Sequence, residues 1–223
     1  MTCSEFSQNP TEGRLLAVGD IHGCRDLLQE LLRQVAPCAE DQVVFLGDYI
    51  DRGPDSRGVI DYLLDFRQRW PQTVFLKGNH EAMLLNFLDG HERLRYLLNG
   101  GETTLYNYRE KGQLTIPPSH LQFLRDLRLY FETEHHLFVH AGLRPEVSLK
   151  NQKEEDLLWI REDFLKSKYR WSKTIVFGHT PMGKPHLKPG RIGLDTGAAY
   201  GRDLSCCDVI RQKIWAVRAQ RTA

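Results

Sequence analysis

Short apolar runs alternate with helical stripes in the first part of the chain. The runs Leu15–Val18, Val43–Leu46 and Val74–Leu76 are bounded by polar or turn residues, which predicts buried strands. Between them, Arg25–Val35 and Ser56–Arg69 carry apolar residues at helical spacing, which predicts amphipathic helices. This alternation predicts an α/β fold in which parallel strands are joined by right-handed crossovers.

The rest of the chain has a different pattern. From Glu81 to about Leu127 it is helical and rich in aromatic and charged residues, with breaks at Gly100-Gly101 and Pro117-Pro118. A further helix is predicted over Asn151–Lys168. Short strands are predicted at Tyr130–Glu134, Leu137–Val139, Thr174–Phe177, Ile192–Leu194, Ser205–Ile210 and Lys213–Val217. The last two strands would form a hairpin across Arg211-Gln212.

No internal repeat, low-complexity tract or linker is visible. We therefore predict one domain over residues 1–223, in which two sheets pack together with helices outside. Residues 81–135 could form a lid that faces the substrate or a fixed helical cap, and the sequence leaves both readings open.

The charge balance bears on the partners. The chain has 30 basic and 29 acidic residues, a formal net charge of +1. Proteins that grip a nucleic-acid backbone usually carry a basic excess or stripe, so we expect no nucleic-acid partner. No apolar run approaches the ~18 residues that a membrane helix needs, so we also expect no membrane partner.

Cysteine usage and the polar N-terminus point to the cytoplasm. The cysteines are Cys3, Cys24, Cys38, Cys206 and Cys207. An odd number without a CxxC motif argues against a disulfide framework and against a structural zinc site. We expect free thiols in a reducing cytoplasm, with Cys24 packing at the start of a helix. The first residues also lack the charged-then-apolar pattern of a signal peptide.

Five short blocks carry the candidate chemistry. They are GDIHG at 19–23, GDYIDRG at 47–53, GNHE at 78–81, HAG at 140–142 and GHT at 178–180. Their candidate metal ligands are Asp20, His22, Asp48, Asn79, His140 and His179. Carboxylate, imidazole and amide donors together suit a pair of divalent ions. Because the carboxyl ends of parallel strands meet at one edge of a sheet, the first four ligands are predicted to converge.

Each block alone has an ordinary explanation. Asp20 could cap a helix, which is what most Asp residues after a strand do. His140 could be a hydrogen-bonded core histidine, and the turn around His179 allows the same interpretation. Together these explanations fail, because five blocks at strand exits each offer a side chain that can bind metal.

The five blocks resemble the signature of the phosphoprotein phosphatase family, within the calcineurin-like metallophosphoesterases. The resemblance covers about residues 14–200. The segments NGGETTL at 99–105, WIRE at 159–162 and LDTGA at 194–198 are most similar to the compact bacterial and phage members. The resemblance implies a four-layer α/β/β/α sandwich with a dinuclear metal site at its edge.

The resemblance also implies how the ligands are shared. Asp20, His22 and Asp48 would hold one ion, and Asp48 would bridge to a second ion held also by Asn79, His140 and His179. A hydroxide between the ions would then attack phosphorus directly, without a phosphoenzyme. The donor set suits manganese, iron or zinc, and purified enzyme would need added manganese.

Four further residues receive roles through the same resemblance. Arg52 and Arg161 would bind the phosphate oxygens of the substrate, a task for which the guanidinium fork is well shaped. His80 would protonate the leaving alkoxide, and Asp51 would hold its imidazole.

The substrate remains open between two enzyme classes. The leading reading is a protein phosphatase acting on phosphoserine or phosphothreonine, with phosphotyrosine as a further substrate. The alternative is a nucleotide hydrolase of the diadenosine-tetraphosphatase type. In the symmetrical bacterial enzymes of that type Gln commonly replaces the His of GDxHG, whereas this chain has His22 and an unaltered Asp51-Arg52-Gly53. The substrate is thus a phosphoprotein or a phosphorylated small molecule.

Two more distant classes fit less well. Metallophosphoesterase nucleases and phosphodiesterases usually end in GHxH, but Pro181 stands where the second histidine would be. A binding module without activity would need a damaged ligand or clamp, and none is found. Oligomeric state and regulators leave no interpretable pattern in the sequence.

Overall fold

Two five-stranded sheets form the centre of the structure. The computed structural model describes residues 13–218. Its strands are β1 Leu15–Val18, β2 Gln42–Phe45, β3 Val74–Phe75, β4 Arg109–Glu110, β5 Gln113–Leu114, β6 Tyr130–Glu132, β7 His136–Val139, β8 Thr174–Phe177, β9 His186–Lys188, β10 Arg191–Gly193, β11 Asp203–Asp208 and β12 Lys213–Arg218. Its α-helices are α1 Arg25–Val35, α2 Ser56–Arg69, α3 Asn79–Leu88, α4 Arg93–Leu98, α5 Glu102–Asn107, α6 Pro118–Arg125, α7 Glu154–Trp159 and α8 Glu162–Leu165.

The first sheet has the order β12-β11-β1-β2-β3. Strands β1, β2 and β3 are parallel, with Ala17 opposite Val44 and Val44 opposite Val74. Strand β11 runs antiparallel to β1 and forms a hairpin with β12. The carboxyl ends of the three parallel strands therefore lie along one edge, as the sequence predicts.

The second sheet has the order β6-β7-β8-β10-β9. Its central strands β7, β8 and β10 are parallel, and the outer strands β6 and β9 are antiparallel to their neighbours. The exits of β7 and β8 consequently share an edge as well, and these exits carry the HAG and GHT blocks.

Three apolar clusters hold the layers together. One lies between the sheets and joins side chains such as Val44 and Leu46 of the first sheet to Phe138, Val176 and Ile192 of the second. Another packs α1, α2, α3 and α6 on the outer face of the first sheet. A third packs α7 and α8 on the outer face of the second sheet. This layering confirms the predicted α/β/β/α sandwich.

The regular elements of the first half agree with prediction. The bounds of β1, α1 and α2 are those that the hydrophobic pattern gives. The carboxyl-terminal hairpin also forms, with its turn in residues 209–212. Among residues 13–218, no helix is long and apolar enough to cross a membrane.

Several local predictions are wrong. The single helix expected over Asn151–Lys168 is two short helices, α7 and α8, separated at Ile160-Arg161, because Arg161 leaves helical geometry with φ −129° and ψ −93°. Helix α3 begins at Asn79 rather than at Glu81. The segment from Glu81 to Leu127 is not helical throughout, because β4 and β5 form a small hairpin within it. Strand β9 is missed because its residues are mostly exposed and polar.

Three of the thiols are placed as expected. Cys206 and Cys207 are buried free thiols on opposite faces of β11, and Cys24 precedes α1 and packs against the outer cluster. Burial raises the pKa of the Cys207 thiol to about 12, which makes it a packing residue rather than a nucleophile. Cys3 lies outside the described residues.

Candidate metal centre

The six predicted ligands converge where the two sheets meet. Each follows a strand, so the sheet topology brings them together from distant parts of the sequence. Their exposed fractions are 2% for Asp20, 3% for His22, 2% for Asp48, 2% for Asn79, 0% for His140 and 4% for His179. Buried polar side chains need hydrogen-bond partners or a bound ion. The arrangement of their donor atoms indicates which of these they have.

Asp48 stands at the centre of two donor groups. One group is His22, Asp48 and His80, and the other is Asp48, His140 and His179; in each, the donor atoms lie within 4.8 Å of one another. Asp48 Oδ2 is 3.4 Å from His22 Nε2, and Oδ1 is 3.4 Å from His140 Nε2. The two carboxylate oxygens thus face different histidines, as a bridging carboxylate would.

Asn79 belongs to the second of these groups. Its Oδ1 lies 2.9 Å from His140 Nε2 and 2.9 Å from His179 Nδ1. An amide oxygen and two imidazole nitrogens therefore point at one space beside Asp48. These donors suit a borderline divalent cation.

Backbone carbonyls orient two of the imidazoles. His22 Nδ1 lies 2.9 Å from the Ile50 carbonyl, and His140 Nδ1 lies 2.8 Å from the Leu46 carbonyl. A carbonyl can only accept, so each Nδ1 carries the proton and each Nε2 turns its lone pair toward Asp48. Burial lowers the pKa of His22 to about 3, against the opposing charge of Asp48. Both features favour a neutral imidazole, the form that binds metal.

Asp20 joins the cluster from its rim. Its carboxylate accepts the His179 backbone N–H at 3.0 and 3.2 Å, and it lies outside the two tight donor groups. Burial raises the pKa of Asp20 well above its usual value, and the neighbouring carboxylates of Asp195 and Asp48 raise it further. A bound cation would relieve this crowding of negative charge, so the residues present fit a metal centre.

Two glycines make room for the carboxylates. A Cβ on Gly78 would lie 2.1 Å from Asp48 Oδ1, and a Cβ on Gly178 would lie 2.0 Å from Asp20 Oδ1. No side chain fits at either position without moving a carboxylate. This close approach explains why the GNHE and GHT blocks begin with glycine.

Several site residues adopt left-handed backbone conformations. Positive φ angles occur at His22 (47°), Asp48 (53°), Asp51 (71°), Arg52 (68°) and His179 (63°). For residues with a Cβ this conformation costs roughly 1 kcal/mol or more, and it persists only where surrounding contacts hold it. The backbone at the strand exits is therefore strained at the candidate site, which is typical of functional residues.

Two arginines reach this centre from opposite sides. Arg52 follows β2 of the first sheet, and Arg161 lies between α7 and α8, which pack on the second sheet. Arg52 Nη1 lies 2.5 Å from His22 Nε2, and Arg161 Nε lies 3.1 Å from His179 Nε2. The break between α7 and α8 places Arg161 there. The half-exposed Tyr200 stacks on Arg52, with 5.6 Å between Cζ and the ring centre.

His80 is buried beside the donor groups. Its Nδ1 lies 2.6 Å from Asp51 Oδ2, whereas its Nε2 has no hydrogen-bond partner among the described residues and is 4.0 Å from Asp48 Oδ2. Burial lowers the pKa of His80, but the charges of Asp48 and Asp51 outweigh it and raise the pKa above its usual value. The imidazole is therefore suited to carry a proton on Nε2 and donate it.

Glu81 is a site residue to which the sequence gave no role. Its carboxylate accepts backbone N–H groups of Gly78 at 2.9 Å, Asp48 at 3.0 Å and Tyr49 at 2.8 Å, so it ties the exits of β2 and β3 together. Burial, followed by the charge of Asp48, raises its pKa to about 8. Its place three residues after Gly78, where a Glu commonly reaches back to a helix N-terminus, was an available signal.

The fold and this donor set define a class, the metal-dependent phosphoesterases. The chain belongs to the calcineurin-like phosphoesterase family, whose sequence profile matches residues 13–209. It is thus a hydrolase that acts on phosphoric esters, and its His/Asp cluster is compatible with a dinuclear metal site. The resemblance to phosphoprotein phosphatases is confirmed by the relatives.

These relatives include enzymes with different substrates. The chain is 33% identical to serine/threonine-protein phosphatase 1 of Salmonella typhimurium, an alignment covering 84% of this chain and 88% of the relative. It is 28% identical to the asymmetrical bis(5'-nucleosyl)-tetraphosphatase PrpE of Anoxybacillus flavithermus, covering 84% and 87%. A crystal structure of a proposed diadenosine tetraphosphatase superposes with a TM-score of 0.76 at 27% identity, covering 95% and 96%.

Proposed function

We propose that this protein is a dinuclear-metal phosphomonoesterase that removes phosphate from phosphoserine and phosphothreonine side chains, with phosphotyrosine as a further substrate. The observation that carries the proposal is the buried pair of His80 and Asp51, with His80 Nε2 directed at the metal centre. Serine and threonine alkoxides are poor leaving groups and need a proton as the P–O bond breaks. A held imidazolium supplies it.

In this proposal the six converging residues hold the ions. Asp20, His22 and Asp48 bind one ion, while Asp48, Asn79, His140 and His179 bind the other. When bound, the ions supply an activated water as nucleophile and polarise the phosphate. Manganese, iron and zinc all suit these donors, and we propose manganese for reconstitution in vitro.

The arginines bind and orient the phosphate. Arg52 and Arg161 approach the centre from opposite sides, so their guanidinium groups can pair with different oxygens of the tetrahedral group. The fixed orientation aligns phosphorus for in-line attack and leaves the ester oxygen toward His80. Asp51 accepts the Nδ1 proton of His80 and stabilises the imidazolium, whose second proton lies on Nε2, the nitrogen that faces that oxygen.

A second candidate function is the hydrolysis of dinucleoside tetraphosphates. It is favoured by the similarity to the bacterial tetraphosphatases at 28% and 29% identity. The leaving group in that reaction is a nucleotide phosphate, whose conjugate acid is far more acidic than an alcohol, so it departs without a proton. His80 would then contribute little to the rate, so the two functions predict different effects of His80→Ala on kcat.

A rate comparison separates these candidates. Manganese-loaded protein is assayed with phosphoserine, phosphothreonine and phosphotyrosine peptides and with diadenosine tetraphosphate, using wild type and His80→Ala. We expect the highest kcat/KM on a phosphoserine or phosphothreonine peptide and a large loss in the variant. A preference for diadenosine tetraphosphate that His80→Ala leaves intact would establish the second function instead.

The remaining expectations belong to the same proposal. We propose a single domain over 1–223 that acts in the cytoplasm on a phosphorylated protein or small molecule, without nucleic acid. The near-neutral charge balance and the free thiols support these expectations. Fractionation of the native cells with an antibody to this chain tests the location.

A further inference from the structure

The two oxygens of Asp51 have separate partners. Oδ2 pairs with His80 Nδ1, whereas Oδ1 accepts the Tyr96 hydroxyl at 2.8 Å and the Thr104 hydroxyl at 2.6 Å. All four side chains are completely buried. Water therefore cannot replace a missing hydrogen bond without opening the interior.

Residues of the α4–α5 segment, together with Ser56 of α2, also fix the backbone at Asp51 and Arg52. The Asp51 N–H donates to Thr104 Oγ1 at 2.9 Å and to Ser56 Oγ at 3.0 Å. The next N–H, that of Arg52, donates to the Gly100 carbonyl at 3.1 Å. Since Asp51 and Arg52 both have positive φ, these contacts hold a conformation that the chain would otherwise leave.

Tyr96 itself is locked in place. Its ring packs against Phe87 at 5.3 Å between centres, and a Cβ on Gly101 would lie 2.5 Å from the ring. The NGGETTL segment therefore serves two purposes: Gly101 admits the ring, and Thr104 completes the bond to Asp51. This part of 81–135 is fixed to the loop, as a cap would be.

We infer that Tyr96 and Thr104 are positioning residues, which hold Asp51 so that His80 presents Nε2 to the ester oxygen of the substrate. The inference rests on the proposed function, since it assigns these hydroxyls to the proton donor of that reaction. Within residues 13–218, no hydrogen bond joins either side chain to a predicted metal ligand, so both act through Asp51.

The test uses the leaving group as its readout. Tyr96→Phe removes only a hydroxyl, and Tyr106→Phe is the matched control because Tyr106 is 77% exposed on neighbouring α5. With phenyl phosphate, whose leaving group needs a proton, we expect kcat of Tyr96→Phe to fall about 10-fold with little change in KM, a part of the ~10²–10⁴-fold that a general acid contributes. With 2,4-dinitrophenyl phosphate, whose leaving group departs unaided, we expect less than about a 2-fold change.

A second pair of variants protects the test against misfolding. Thr104→Ser keeps the hydroxyl, whereas Thr104→Val is close in shape and removes it. We expect Thr104→Ser to retain the wild-type dependence on leaving group and Thr104→Val to reproduce the selective loss seen with Tyr96→Phe. Equal slowing of both substrates by Tyr96→Phe and Thr104→Val would indicate a general structural role and overturn the inference.

The background of His80→Ala separates this inference from the proposed function. There, adding Tyr96→Phe should cause no further loss, because the residue that it positions is absent. If His80→Ala shows the selective loss and Tyr96→Phe does not, the inference is wrong and the proposed function stands. If His80→Ala itself lacks the selective loss, the proton donor of the proposed function is wrong, and the inference falls with it.

Discussion

The apolar core between the two sheets and the metal edge, which is the cluster of ligand residues around Asp48 at the strand exits, are equally buried. The core consists of apolar side chains, whereas the edge consists of polar and charged ones. Val44, Phe138 and Val176 in the core have no exposed surface and no polar group to satisfy. Asp48 and His80 at the edge are 2% and 0% exposed, and each is charged or able to become so. Burial stabilises the first region, whereas in the second it costs free energy that only hydrogen bonds and a bound cation offset.

The comparison shows where stability and activity reside. The core is satisfied by shape alone, so small changes in it should alter unfolding and leave chemistry untouched. At the edge, the left-handed backbone and the carboxylate of Asp51 are held by contacts from α4 and α5. Changes there should alter chemistry more than stability.

The largest effect is expected for Asp48→Asn. Loss of the shared carboxylate should remove the ions and lower kcat/KM by about 10³-fold or more, since bound metal contributes several kcal/mol to such reactions. The free energy of unfolding of chelator-treated protein should change little, because the amide oxygen introduced at position 48 can still accept the backbone N–H of His80. Chemical denaturation and steady-state rates measure both quantities. A large loss of stability in the chelated protein would break the division.

His80→Ala should have the next largest effect. We expect kcat on a phosphoserine peptide to fall by about 10²–10⁴-fold, because the leaving alkoxide loses its proton donor. Metal content, measured by elemental analysis, should stay at the wild-type value. Unchanged kcat would remove His80 from the chemistry and leave it as a packing residue of the edge.

Replacing the arginines by lysine should have intermediate effects. Arg52→Lys and Arg161→Lys keep the charge but lose the planar fork, and we expect kcat/KM to fall about 10–100-fold, which matches hydrogen bonds to charged groups of about 1.5–3 kcal/mol. Arg33→Lys, at an exposed pair with Glu30 on α1, is the control. If all three variants keep wild-type kinetics, the guanidinium groups do not bind phosphate.

The smallest effect is expected in the core. Ile192→Val removes one methylene from a side chain that is 2% exposed between the sheets. We expect the free energy of unfolding to fall by about 0.5–1.5 kcal/mol, with kcat unchanged at 25 °C. Urea denaturation gives the first value. A clear drop in kcat would show that the core and the edge are coupled and that core changes affect chemistry as well as stability.

Periodicity predicts the core side of this division well. Strand β1 and helices α1 and α2 follow the apolar pattern because each buries one face, and burial is what the pattern records. The prediction failed at Asn151–Lys168, where the pattern is helical but Arg161 is turned toward the centre. It also missed β4, β5 and β9, whose mostly exposed residues leave no apolar signal.

The edge was predictable only in part. The predicted metal ligands stand in short blocks at strand exits, so spacing and family resemblance identify them. The supports do not: Tyr96 and Thr104 lie 45 and 53 positions from Asp51, with no periodic relation to it. Only the packing of α4 and α5 on the loop reveals that contact, and packing between distant segments leaves no local trace in a sequence.

Metal stoichiometry against activity tests the central claim most directly. Chelator-treated protein is titrated with manganese while bound metal is measured by elemental analysis and phosphatase rate on a phosphoserine peptide is followed. We predict that activity rises with metal binding and saturates at about two ions per chain, as a two-metal site requires. In Asp48→Asn we predict neither metal binding nor activity. Full activity in wild-type protein without detectable metal would contradict the account.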